Sequence, residues 1–184
     1  WLPRTSRAET TLAASEPGLH VGTLVTRVTL RAPGLLAKQA AALDVMSDGR
    51  AILGIGTGDG ASAAEHERFG FPFPPAAERV ATLEETVDAL HALFGGRAWP
   101  GGAHVPPLTG PLLPPGEPAV WVGGLSEPVM AVAARVADAW NGWGLDADAF
   151  AAYAGRDHRQ AAGHRFQDLH AHAAAGAHRH DQHP

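Results

Sequence analysis

Hydrophobic residues recur along this chain in two alternating rhythms, short β-branched runs and longer stretches that return every three or four positions. Val21 to Thr26 (VGTLVT) and Ala51 to Ile55 predict strands, the first buried on both faces. Between them Pro33 can open a helix, and Leu36, Ala40 and Leu43 keep a helical spacing until Ser47, Asp48 and Gly49 break it. After the glycine-rich turn Gly54 to Gly60, the stretch Phe69 to Pro75 is too interrupted by proline for either element and predicts a loop. An amphipathic helix follows, with Val80, Leu83, Val87, Leu90 and Phe94 on one stripe and Gly95-Gly96 as its stop. Glycine and proline dominate from Gly95 to Pro118, which reads as a surface excursion or a lid. Ala119 to Val122 predicts a third strand, Ser126 a helix N-cap ahead of Met130, Ala133, Ala134 and Ala137, and Asp138 to Asn141 the start of a fourth strand. Strand alternating with helix argues for parallel strands with crossover helices, an α/β layer or barrel.

Composition narrows the function classes. The 184 residues suffice for one domain with a substantial core, and the hydrophobic fraction of 45% is that of an ordinary soluble protein. Fourteen basic against nineteen acidic residues give a net charge of -5, with no basic run to track a phosphate backbone, which argues against nucleic acid as a partner. The absence of cysteine removes disulfides, thiolate metal sites and a cysteine nucleophile. No run of about 18 apolar residues points to a membrane span, and the N-terminus lacks a signal-peptide layout, so a cytoplasmic protein is expected. Because the first residue is Trp1, residues are expected to precede it.

The most informative chemistry lies in Leu53 to Gly60 (LGIGTGDG), where closely spaced glycines after a strand let backbone N–H groups approach a phosphate or a planar ring. Gly58, Gly60 and Ala63 fit the G-x-G-x-x-A form of a dinucleotide fingerprint, and GTGDG is similar to the loop of S-adenosylmethionine-dependent methyltransferases. Against both, Gly54 stands where a methyltransferase carries an acid, and the acidic residue due about twenty positions on would fall in the proline loop and the following helix. A tight turn with no ligand is the plainer alternative.

The run Gly22 to Gly60 (GTLVTRVTLRAPGLLAKQAAALDVMSDGRAILGIGTGDG) resembles the luciferase-like monooxygenase family pattern: a GTLVT-type strand, an R-x-P-x-x-x-A-K helix, an LD-x-x-S-x-GR turn and an LG-x-G-x-G strand. The resemblance continues through Phe69-Gly70, Glu78-Arg79, Glu84-Glu85, Val122-Gly123-Gly124, Ala134-Arg135 and Trp140-Asn141, covering about three quarters of the chain. It implies an α/β fold that is a partial (β/α)8 TIM barrel, with about four central parallel strands where eight are needed and ligands at the C-terminal strand ends. The first two and last two strands, and an early histidine used at the reaction centre of many deazaflavin enzymes, are expected to lie outside the chain.

What the resemblance implies about function is an oxidoreductase acting on a small organic substrate, by hydride transfer or monooxygenation, with coenzyme F420 (a deazaflavin) or FMN bound. Leu24 and Val25 fall where the family often has a bulge or a non-prolyl cis peptide behind the flavin ring. Gly56, Thr57 and Gly58 are cofactor-binding candidates, and Asp59 is the candidate active-site acid, with a solvent-facing turn aspartate as the alternative. Gly123, Gly124, Leu125 and Ser126 end a strand and open a helix, which suits a cofactor phosphate or a plain capped turn. A methyltransferase and a non-catalytic, cofactor-binding remnant of the same scaffold are the competing functions. Family members tend to pair, so a homodimer is possible for the full-length form.

Other residues read as structural. Arg50 and Arg79 suit carbonyls or carboxylates within the fold, and Trp121, Trp140 and Trp143 suit core or pocket wall. His66 has no second histidine four positions away and reads as part of a solvated turn, so no metal site is expected there. A barrel-type domain is expected over residues 1–155. A His/Ala-rich tail of compositional type, also explicable by a reading-frame error, is expected over 156–184 and expected to be disordered. Four strands of an eight-stranded barrel leave two edges and one face uncovered, so these residues alone are expected to aggregate. Cooperative thermal unfolding of a soluble monomer would show otherwise.

Overall fold

The computed structural model describes residues 15–154. Four strands, β1 (Val21–Arg27), β2 (Ala51–Gly56), β3 (Ala119–Gly123) and β4 (Ala139–Asn141), form one parallel sheet in the order β1-β2-β3-β4. The connections carry helices α1 (Pro33–Met46), α2 (Ser62–Arg68), α3 (Ala76–Phe94) and α4 (Glu127–Val136), with α5 (Ala147–Ala154) after β4. Leu36 of α1, Leu83, Val87 and Leu90 of α3, and Met130 of α4 share one core with Leu53, Ile55, Val120 and Val122 of the sheet. Those helices therefore cover one face. Sequential strand order with these crossover helices on one side is the geometry of a barrel wall, whereas a doubly wound sheet reverses its order and is covered on both faces. This removes the structural context that the dinucleotide and methyltransferase readings of LGIGTGDG require. The barrel is not closed by the described strands.

The predicted elements are present with small boundary shifts, and three expectations need correction. β1 is not buried on both faces: only Val21 is buried, because β1 is an edge of the sheet with no neighbour on its outer side among the described residues. The segment 95–118 is no lid but a folded strap on the outer helices. The Glu85 carboxylate accepts the backbone N–H groups of Ala103, His104 and Val105 at 2.9, 2.8 and 2.8 Å, and Asp44 accepts that of Glu117 at 3.0 Å. Val105 is buried and Leu108 packs on the core, as its apolar side chain requires. The third correction is α2, a short helix that sequence periodicity does not reveal.

The LD-x-x-S-x-GR turn is structural throughout. Buried Asp44 also accepts the Ala51 N–H at 3.3 Å, buried Ser47 donates its hydroxyl to the Asp44 carbonyl at 3.2 Å, and Asp48 and Gly49 take left-handed φ values of 58° and 76°. Arg50 donates to the Ser47 and Glu16 carbonyls at 2.7 and 3.1 Å and also to that of Leu19, the carbonyl role expected of it. No helix among the described residues is long and apolar enough to cross a membrane. The expected tail over 156–184 lies outside the described residues.

Candidate functional site

Parallel strands put all four C-terminal ends on one side of the sheet, so Leu24-Val25, Gly56 to Asp59 and Gly123 to Ser126 come to the same end of the fold. The faces of β3 alternate cleanly: Val120 and Val122 are buried toward the helices, while Ala119, Trp121 and Gly123 face the other way, half-buried. Gly54 is paired with Trp121, and Gly123 with Asn141.

Near the strand ends this inner surface is stripped of side chains so that another can cross it. A Cβ on Gly123 would stand 2.7 Å from Val25 Cγ1, and one on Gly56 would stand 2.9 Å from Val25 Cγ2 and 3.1 Å from the Gly123 carbonyl oxygen. Val25 of β1 thus lies over β2 and reaches β3. The Leu24–Val25 peptide is cis, and the register between β1 and β2 shifts between Thr23 and Thr26, so both features expected at this position are present. Leu24 is 64% exposed.

Beyond β2 the chain turns through Gly58, whose φ of 73° a side chain would strain and whose Cβ would meet Arg27 Cδ at 3.0 Å. Asp59 then fixes the turn into α2: its carboxylate accepts the Ser62 N–H at 3.0 Å and the Ser62 hydroxyl at 2.9 Å. The Ser62 hydroxyl and N–H hold the fully exposed Asp59 carboxyl below its ordinary value, so it is ionised at neutral pH and has no proton to donate. Arg27 at the end of β1 pairs with Glu65 of α2. On the far side, Gly124 (φ 146°) opens α4, and its carbonyl accepts the Trp140 indole N–H at 2.7 Å. Ser126 stands at the N-cap position, but its side chain makes no capping hydrogen bond, and a proline within the first two residues of α4 removes one helix-end donor.

His66 is the residue that sequence reasoning placed wrongly. It is 0% exposed, inside α2 rather than in a solvated turn, with Nδ1 2.7 Å from the Ser62 carbonyl oxygen and Nε2 2.8 Å from Thr29 Oγ1. Its burial depends on Thr29 from the turn after β1 and on Phe73 from the proline loop, ring centroids 4.8 Å apart. Neither neighbour is legible from the local pattern around Glu65-His66-Glu67. Arg79 donates to the Thr57 and Pro74 carbonyls at 3.2 and 2.6 Å, as its expected carbonyl role requires. Of the tryptophans, Trp140 is core, Trp121 is half-buried on the inner face, and Trp143 is 77% exposed, so pocket wall or core does not describe it among these residues.

A wall of sequential parallel strands with crossover helices on one face is the architecture of a (β/α) barrel. The family model of luciferase-like monooxygenases matches residues 8–180, and the chain belongs to that family. A relative of known description is the F420-dependent glucose-6-phosphate dehydrogenase of Kineococcus radiotolerans, 38% identical over 95 residues, which are 51% of this chain and 25% of that protein. The coenzyme F420-dependent tetrahydromethanopterin reductase of Methanopyrus kandleri superposes with a TM-score of 0.61 at 22% identity over 74% of this chain and 43% of its own. A riboflavin lyase solved with modified FMN and riboflavin superposes with a TM-score of 0.68 at 18% identity, over 96% of this chain and 42% of its own. The two structural likenesses establish the fold, that of TIM-barrel enzymes. The matched stretches span between a quarter and a little under half the length of these relatives.

Proposed function

We propose that this chain forms the cofactor-holding part of an oxidoreductase that moves a hydride between a small organic substrate and bound coenzyme F420. The observation that carries the reading is the glycine-bare surface at the ends of β2 and β3, where a Cβ on Gly56 or Gly123 would collide with Val25 or with backbone. The glycines let the Val25 side chain lie across β2 and β3, and a planar ring would rest on the surface that Leu24 and Val25 then present. F420 is favoured because the relative matched at 38% identity is described as F420-dependent. FMN-dependent monooxygenation is the second reading, favoured by the fold shared with a protein solved with modified FMN.

When bound, the deazaflavin supplies the hydride chemistry, and the protein supplies position and electrostatics. Leu24 and Val25 would back the ring, Gly56, Thr57 and Gly58 would offer main-chain groups to it, and Gly123 to Ser126 would receive a phosphate at the opening of α4. Charged side chains near this end are occupied within the fold, Asp59 by Ser62 and Arg27 by Glu65. Backbone N–H groups and the Ser126 hydroxyl are therefore the donors offered to the ligand. Asp59 enters as an anion that shapes the turn and, as a carboxylate, can accept a proton at the strand end but not donate one.

Titrating the protein in its full natural reading frame with F420 and with FMN, followed by visible absorbance, tests the proposal. Saturable binding of F420 with turnover of a hydride donor supports it. Saturable FMN binding alone selects the second reading, binding without turnover leaves a cofactor-holding remnant, and binding of neither ring overturns both readings.

A further inference from the structure

Arg79, in the first turn of α3, reaches back to the strand end that the cofactor reading uses. Its Nε donates to the Thr57 carbonyl at 3.2 Å, its Nη1 to the Pro74 carbonyl at 2.6 Å, and its guanidinium carbon lies 4.0 Å from the centroid of the Phe73 ring. Phe73 packs against buried His66. A carbonyl oxygen only accepts, so His66 Nδ1 carries the proton toward Ser62 and, in the neutral ring, Nε2 accepts the Thr29 hydroxyl. An unbroken series of contacts, Thr29 to His66 to Phe73 to Arg79 to Thr57, thus ties the turn after β1 to the end of β2 through α2, the proline loop and α3.

That series fixes one peptide plane. The Thr57–Gly58 bond is not among the cis peptides, and in a trans peptide the carbonyl and the N–H point in opposite directions. With the Thr57 carbonyl turned to Arg79, the Gly58 N–H points away from that guanidinium, and it makes no hydrogen bond among the described residues. At Gly58 the left-handed φ of 73° is one that a side chain would strain, so glycine suits this peptide orientation. A planar guanidinium is suited to hold two carbonyls in fixed directions while stacked on an aromatic ring, and a lysine ammonium is not.

We propose that Arg79 is a positioning residue that aims the Gly58 N–H at an acceptor oxygen of the bound cofactor, with the His66–Phe73 pair holding Arg79 in place. The proposal rests on the cofactor reading above. It is tested in the full natural reading frame by measuring the Kd of F420 and FMN by fluorescence titration, the visible circular dichroism of the bound ring, and the melting temperature without cofactor. For the ring that binds, Arg79→Gln is expected to weaken affinity about tenfold, equivalent to about 1.4 kcal/mol, and to alter the dichroism of the bound ring. Arg79→Lys is expected to recover part of that loss. Phe73→Leu removes the stack but leaves both hydrogen bonds, and should weaken affinity about threefold. Unchanged Kd and dichroism in Arg79→Gln, or in Phe73→Leu where Arg79→Gln does not fold, overturns the proposal and leaves the cofactor reading standing. An unsubstituted protein that binds neither ring overturns the cofactor reading and this proposal with it.

Discussion

The two faces of the sheet are built on opposite demands by the same strands. Toward the helices, Leu53, Ile55, Val120 and Val122 fill space and are buried. Toward the inner side, Gly56 and Gly123 carry no Cβ and so let Val25 of β1 cross them, while Gly54 lies against the Thr23 carbonyl. Volume stabilises the first face. On the second, the missing Cβ atoms make room for Val25, so substitutions of similar size should have different kinds of effect on the two sides.

The largest effect on stability is expected from Ile55→Ala, which opens a cavity at a fully buried position and should cost about 2 to 5 kcal/mol in denaturant unfolding. A loss below about 1 kcal/mol would mean that the helix side is not close-packed. Gly123→Ala places a methyl 2.7 Å from Val25 Cγ1, and overpacking of this kind costs about 1 to 3 kcal/mol. Because Val25 is half-exposed it can give way, so the larger loss is expected in cofactor affinity. Unchanged affinity, read by the same titration as above, would erase the contrast between the faces.

A third, smaller effect concerns the strap on the helix side. Burial raises the Glu85 carboxyl, but the backbone N–H groups of His104, Val105 and Ala103 outweigh it and bring it below its ordinary value. A folded value below the unfolded one means that the unfolded chain binds more protons as the pH falls. The anchoring is therefore fully present above the unfolded value and is lost as the pH drops through the lowered folded one. Hydrogen-exchange protection at residues 103–105 is expected to fall in acid below about pH 4.5 and to fall likewise at neutral pH in Glu85→Gln. Protection that ignores both changes would show that the strap is held by Val105 and Leu108 alone. The smallest effect belongs to Asp59→Asn, since asparagine also accepts at a turn: the melting temperature should move by less than about 2 °C and turnover by only a few-fold. A collapse in turnover with an unchanged melting temperature would give Asp59 a direct part in the reaction.

What could be read from the sequence follows the range of the interactions involved. Strands, the long helices and the glycine-rich strand end were legible, because hydrophobic period and glycine spacing are local signals. The cis peptide position at Leu24-Val25 came from family resemblance, and the helix-side stripe Leu83, Val87, Leu90 and Phe94 came from periodicity alone. The burial of His66 was not legible, since it depends on Thr29, 37 positions earlier, and on a ring in the next loop. The role of Glu85, part of the Glu84-Glu85 pattern, was not legible for the same reason: its partners lie 18 to 20 residues on and are backbone amides, which leave no mark on residue identity. The edge character of β1 depends on strand order, which composition does not encode.

That last kind of attachment gives the strap a property of its own. Glu85 and Asp44 grip main-chain amides at 103, 104, 105 and 117, and any residue except proline carries one. Apart from buried Val105, the side chains at those places are free of the attachment, so Ala103, His104 and Glu117 can change without loosening the clamp, whereas Gly102 cannot, because a Cβ there would collide with the Glu85 carboxylate. The outer helices thus hold the strap by its main chain, on the side of the wall opposite the strand ends of the inner face.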